Sequence, residues 1–156
     1  MSNFTVDSSF IIKGLVPVRR AKDDALRAQQ EREFQIARDY MAKIERGIHR
    51  MIVPAVALIE VAAVISRLTN SREDAKSGVE FVRRNATRLY YETDLLERAI
   101  ELAISAKTGG YDTIFLTVAR ITDSTLLPAD RLQSSMALTL GLKSILLFDL
   151  LEPSAN

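Results

Sequence analysis

Four acidic residues stand where they could do chemistry. Asp7 ends "FTVD", Glu60 lies inside "VPAVALIEVAAVISRL", Asp112 heads "DTIFLTVA" after a Gly-Gly pair, and Asp130 ends "LLPAD". Asp7, Asp112 and Asp130 each precede a helical run, and aspartate is a favoured N-cap, so capping is the simplest reading of each taken singly. Glu60 resists that reading. It falls about two turns into a helix that starts near Ala55, in a segment that reads as buried all round. A lone buried carboxylate is costly unless it is paired or bound to a cation. Arg67, further along the same helix, is too far for a direct i,i+4 pair, and Ala63 leaves space beside Glu60.

Collected at one place, these acids have a common use. In open parallel α/β sheets ligands bind beyond the carboxyl ends of the strands; Asp7 and Asp130 end strands, Asp112 opens the helix before the last of these, and Glu60 lies inside the helix that leaves the second strand. Several carboxylates crowded together cannot all stay ionised unaided. Hard oxygen ligands suit Mg²⁺ or Mn²⁺, which keep several waters and often bind substrate phosphate. Such ions can activate water and stabilise an in-line phosphoryl displacement.

Other chemistries are excluded by what the chain lacks. It has no cysteine, which removes disulfides, thiolate zinc sites and cysteine nucleophiles, and is consistent with a reducing cytoplasm. Its one histidine, His49 in "RGIHRMIV", has no carboxylate nearby and reads as exposed between a helix and a strand. A net charge of +1 gives no global basic signature, so contact with a polyanion must come from a local patch or from bound cations. The start "MSNFTVDSS" has no secretory pattern, and the longest apolar stretch is too short for a bilayer and contains Pro54 and Glu60. The expectation is a soluble, cytoplasmic protein with no membrane contact.

The positioning elements follow from periodicity. At 156 residues, 47% apolar and without a linker or repeat, the chain is expected to form a single domain, 1–156. "FTVD" is a strand and "SSFIIKGLV" a short helix interrupted at its glycine. Residues 19–47 are highly charged; Phe34, Ala37, Met41, Ile44 and Ile48 give the second half a helical stripe, and Gly47 ends it. The first half reads as a solvated helix or mobile arm, or else as a clamp over substrate or a docking surface. "RMIVP" is a buried strand, "AVALIEVAAVISRLTN" a helix, and "SREDAKSGVEFVRRN" a second helix capped by Ser71. "RLYYET" is β-like, and Asp94 caps the helix after it. "TIFLTVARIT" is a helix, "STLLPAD" a short strand, "RLQSSMALTLG" a helix closed by Gly141, and "KSILLFDLL" a last strand. This alternation predicts an α/β fold with a parallel sheet and helices on both faces.

"TVDSSFIIKGL", "VPAVALIEVAAVISRL", "GGYDTIFLTVA" and "LLPADRL" resemble, in order and spacing, the four acidic motifs of the PIN-domain ribonucleases, above all the VapC-type toxins and their relatives. The similarity covers roughly the entire chain. It implies a three-layer α/β/α sandwich around a parallel sheet, and acids that bind Mg²⁺ or Mn²⁺ and hydrolyse RNA. Asp7 and Asp112 would be the main metal ligands, with Glu60 and Asp130 completing the site. Ser8 follows the first acid, where the family often has a small residue. Lys13, Arg19, Arg20 and Arg67 are candidate RNA contacts. The resemblance also implies a homodimer and an antitoxin that inserts near the acids. Two departures bear on strength of activity: Pro128 stands where many relatives have a hydroxyl, and Ala63 where many have Asn.

Rival signatures fail. "GLKS" is not a phosphate-binding loop, because no glycine opens the motif. "GGYD" is no dinucleotide fingerprint, and a receiver-type phospho-acceptor would need an acidic pair at the first strand end. The second reading, from a different class, is a PIN-like RNA- or protein-binding module with weak or no catalysis.

Overall fold

The computed structural model describes residues 1–19 and 22–151. Arg20 therefore lies outside the described residues. Four strands, β1 (Ser2–Val6), β2 (His49–Pro54), β3 (Ala86–Tyr90) and β4 (Thr125–Leu127), form one sheet in the order β3-β2-β1-β4, every pairing parallel. Among the described residues six α-helices connect them, α1 (Ser8–Leu15), α2 (Asp24–Glu45), α3 (Val56–Thr69), α4 (Arg72–Asn85), α5 (Glu92–Ala106) and α6 (Gly110–Thr122), and a seventh, α7 (Arg131–Thr139), follows β4. A 3-10 turn, Leu147–Leu151, follows. This is the expected three-layer α/β/α arrangement.

The strand order fixes where a ligand can sit. The chain steps outward from β1 to β2 to β3 and then returns past β1 to β4. Right-handed crossovers put α1 to α4 on one face of the sheet and α5 with α6 on the other. The contacts agree: α1 packs on α2 and α3, α3 on α4, and α5 on α6. The direction reverses between β1 and β4, so the switch point lies beyond their carboxyl ends. There Val6 pairs with Leu127, and the next amide, that of Asp7, donates to the Leu127 carbonyl at 3.1 Å.

Val6, Val53, Leu126 and Leu127 bury the sheet's faces against Phe10, Ile11, Phe115 and Leu116. Gly14 does not interrupt α1. It lies within the helix where α1 meets α2, and a Cβ there would stand 2.8 Å from the Ala37 carbonyl oxygen. The buried face of α2 is Glu33, Ala37, Met41 and Ile44, so the expected stripe is rotated: Phe34 is only half-buried and Ile48, past the helix end, is 49% exposed. His49 begins β2 and is half-buried rather than exposed, edge-on to the Phe4 ring at 5.1 Å.

Two further expectations are overturned. "KSILLFDLL" does not form a strand. β4 offers only three residues, Ser144 makes a single bridge to Leu126, and the Leu147 amide then turns to the Pro128 carbonyl at 3.1 Å. Asp94 does not cap α5. The helix begins two residues earlier, with Tyr91 at the cap and the Asp94 amide already bonded to the Tyr91 carbonyl.

Candidate active site

The four acids line one cleft of about 960 Å³ at the switch point. That volume suits a ligand of several groups rather than a single ion. Local structure explains each position. Asp7 leaves β1 and caps α1, its Oδ2 accepting the Ser9 amide at 3.0 Å. Asp130 leaves the β4 segment and caps α7, its Oδ2 accepting the Gln133 amide at 3.1 Å. Asp112 is not a cap. Gly109 holds that place without a side-chain bond, Gly110 follows at φ +49°, and Asp112 sits in the first turn of α6. Negative charge is favoured in a helix's first turn. Glu60 stands early in α3, whose flank is open: Ile59 is 70% exposed, so that helix is not buried all round.

The two inner acids have contrasting company. Asp7 is buried, and it accepts Ser9 Oγ as well as the Ser9 amide, with Gln133 Nε2 donating to Oδ1 at 3.3 Å. Burial pushes its carboxyl above the ordinary carboxylate value. The Ser9 and Gln133 bonds pull it part of the way back, and the Asp130 charge adds to the rise. Glu60 accepts the Ser8 hydroxyl on Oε2 at 2.9 Å, while its Oε1 is buried without a partner. Burial also raises the Glu60 carboxyl, against the Ser8 bond, and the charges of Asp7 and Asp112 raise it further. The Asp112 side chain opens to solvent at one side, yet the protein around its carboxyl group and then the charges of Asp7 and Asp130 raise it too.

Asp7, Glu60 and Asp112 thus each feel the charge of another acid across the cleft. They do not form a closed shell: among the described residues no three carboxylate or histidine side chains stand together as a ready-made metal site. The donor set nevertheless fits a hard divalent cation. All four side chains are carboxylates, and the orphaned Oε1 of Glu60 lacks the partner that a buried carboxylate oxygen needs.

The substrate contacts expected from sequence divide. Ser8 lines the cleft, buried, with its hydroxyl donated to Glu60. Lys13 lines the cleft, paired with Glu33 of α2. Arg19 also lines it, 3.4 Å from the Thr69 carbonyl and 3.8 Å from Asp74. Arg67 is exposed and off the cleft, because the cleft face of α3 runs through Glu60, Val64 and Leu68. Ala63 faces the α3–α4 groove instead of leaving space at Glu60.

Sequence reasoning missed Ser9, Gln133 and Glu92. Gln133 had a signal, since Asp130 and Gln133 have the spacing of a capping box, though its side chain reaches Asp7 instead of closing that box. Ser9 had none. Glu92, the first residue of α5, accepts the Val56 amide at 2.7 Å and caps α3, whose own cap residue, Ala55, has no side-chain bond to give.

A parallel α/β/α sandwich with four acids at its switch point defines a class, and the comparisons agree with it. The PIN domain model matches residues 4–150, and the chain belongs to that family. PIN domains are generally nucleases, hydrolases that use divalent metals, and the family points to RNA as ligand. No curated protein matches the chain. One similar solved structure is described as a domain of a functionally unknown protein from Methanocaldococcus jannaschii DSM 2661. It is 18% identical with a TM-score of 0.48, over 100% of this chain and 94% of that one. Among the described residues no helix is long and apolar enough to cross a membrane.

Proposed function

We propose that the chain is a Mg²⁺- or Mn²⁺-dependent endoribonuclease of the VapC type, the toxin of a toxin–antitoxin pair. The observation that carries this reading is the meeting of Asp7, Glu60, Asp112 and Asp130 in one cleft with Oε1 of Glu60 left without a partner. Asp7 and Asp112 would be the principal metal ligands, and Glu60 and Asp130 would complete the set. A divalent ion held there supplies an activated water and neutralises charge on the phosphate. The chain's own residues do the positioning. Ser9 and Gln133 fix both oxygens of Asp7, Ser8 fixes one oxygen of Glu60, and the cap from Glu92 holds the start of α3 beneath Glu60. Lys13 is a substrate contact. An antitoxin partner, a homodimer and a cytoplasmic location complete this reading; they rest on the family resemblance.

Cleavage of RNA by the full chain in Mg²⁺ or Mn²⁺, with Asp7→Asn and Asp112→Asn as controls, tests the catalytic part. Variants as active as the parent would assign the activity elsewhere. A parent that cleaves no RNA and binds no Mn²⁺ by calorimetry would sink the reading. The second reading, an RNA- or protein-binding PIN module with weak or no catalysis, is favoured by one observation: the acids do not stand as a ready-made metal site. Binding of RNA without metal-dependent cleavage is its signature. A small DNA-binding protein encoded immediately upstream would support the toxin assignment, and its absence would count against it.

A further inference from the structure

The cleft does not stop at the acids. It continues between α1 and α3 as a trough walled by Ile12, Val16, Val64 and Leu68. Both helices start at the sheet's carboxyl edge, so the trough leads away from the acids along them. From Glu60 to Leu68 it runs eight residues of helix, about 12 Å. Arg19 and Asn70 line it beyond α3, and Gln30 of α2 also lines it.

Charge along the trough has a pattern. Lys13 and Arg19 are its cations, and each is held by an acid from another helix: Lys13 by Glu33 of α2, Arg19 by Asp74 of α4. Glu33 is buried, and its other oxygen accepts Gln29 Nε2 at 3.0 Å. Burial alone would raise the Glu33 carboxyl, but the bonds from Gln29 and Lys13 and the Lys13 charge outweigh it and hold it below its ordinary value. The wall between the two cations is aliphatic. A polyanion with apolar faces between its charges fits this surface: phosphates at the cations, ribose and base along the wall. The lining side chains among the described residues include no aromatic ring, so a base here packs on aliphatic groups and stacks on nothing. Among the described residues, the side-chain amides of Gln30 and Asn70 are the neutral polar groups along this wall, while the Thr69 hydroxyl is spent on the Ile65 carbonyl and the Ser71 amide.

We propose that Glu33 competes with RNA phosphate for Lys13, and so sets how tightly RNA beside the scissile phosphate is held in this trough. The proposal rests on the nuclease reading for the phosphate's position at the acids. It makes Glu33, on the charged helix that sequence left open between solvated arm and clamp, a determinant of how tightly RNA is held.

The test is equilibrium binding of an end-labelled single-stranded RNA oligonucleotide to the full chain in Mg²⁺. An Asp112→Asn background keeps the probe from being consumed. Affinity is measured against salt by fluorescence anisotropy. One phosphate contact on a single strand contributes a log–log salt slope of about 0.7, which is about fivefold in affinity at 0.1 M salt. Lys13→Met should therefore lower the slope by about 0.7 and weaken binding about fivefold. Glu33→Gln, isosteric and able to keep the Gln29 bond, should tighten binding by up to the same factor. In Lys13→Met it should change nothing. Either single variant with affinity and slope at the background's values overturns the proposal. Lys13-dependent binding of a polyglutamate peptide, with none of the oligonucleotide, assigns the trough to an acidic protein segment and overturns it as well. Cleavage is read separately with Asp112 restored. Cleavage with Lys13-independent binding removes the trough and leaves the nuclease, whereas Lys13-dependent binding without cleavage does the reverse.

Discussion

Asp7 and Asp130, at the sheet edge, differ from Glu60 and Asp112, on the flanks of helices, in what their charges do for the fold. The edge acids accept the backbone amides of Ser9 and Gln133 and start α1 and α7. The flank acids accept no backbone amide. Glu60 is held by one serine hydroxyl, and α6 begins at Gly109 without help from the Asp112 side chain. The edge acids thus start helices while lining the cleft, whereas the flank acids line it without starting one. A capping role, plausible for Asp112 from its place in the sequence, belongs to its partners across the cleft.

The sharpest way to break this contrast is Asp112→Asn. Cleavage should fall by about 100-fold or more, the scale seen when one group stabilising the reacting charge is lost. Thermal stability should stay within about 0.5 kcal/mol of the parent, as for a surface change that touches no structural bond. A variant that loses activity by unfolding would put Asp112 back among the structural acids. Metal binding gives the next largest effect. Mn²⁺ at 100 times its dissociation constant should stabilise the parent by about 2.7 kcal/mol in urea unfolding. Most of that gain should vanish in Asp112→Asn; an equal gain in both would show that the ion binds elsewhere.

Helix starts come next in size. Asp130→Ala should destabilise by about 1 kcal/mol through its lost cap. Glu92→Ala should do the same at α3 and also slow cleavage by loosening the helix that carries Glu60. Glu92→Gln, which keeps an acceptor oxygen, should restore both. Full activity and stability in Glu92→Ala would remove it from the positioning set.

The smallest effect is in pH. Asp7, Glu60 and Asp112 have raised folded values against ordinary ones of 3.8, 4.5 and 3.8. Their folded forms bind protons more tightly than the unfolded chain. Their contribution is therefore fully present below the ordinary values and is lost as pH rises through the raised ones. Glu33, lowered from 4.5, works the other way: its contribution is present above 4.5 and is lost as pH falls through its folded value. Metal-free unfolding followed across this range should show the first slope flattened in Glu60→Gln and the second flattened in Glu33→Gln. No change in either would mean that these groups are as free in the fold as out of it.

The order of strands and helices was legible because long periodic segments such as "AVALIEVAAVISRL" leave little choice of structure. The four acids were legible for a related reason, since three stand where an element starts and the fourth interrupts an apolar run. What escaped was set by geometry that no local pattern records. Arg67 misses the cleft because α3 presents Glu60, Val64 and Leu68 to it, a phase that only packing on α1 and α4 decides. "KSILLFDLL" has the composition of a strand, but its pairing with the three-residue β4 stops at one bridge, from Ser144 to Leu126. Gln133 and Glu92 find their partners 126 and 36 residues away, beyond any reading of spacing.

The parallel pairing of β1 with both β2 and β4 has a consequence for the order of events in synthesis. Asp7 leaves the ribosome long before Leu127, whose carbonyl accepts its amide, and Gln133, which lies 126 residues further along the chain. Until they emerge, the first acid has neither its sheet neighbour nor its amide donor, and the cleft lacks a wall. The cleft is therefore completed only when β4 and α7 have joined the side of β1 that faces away from β2.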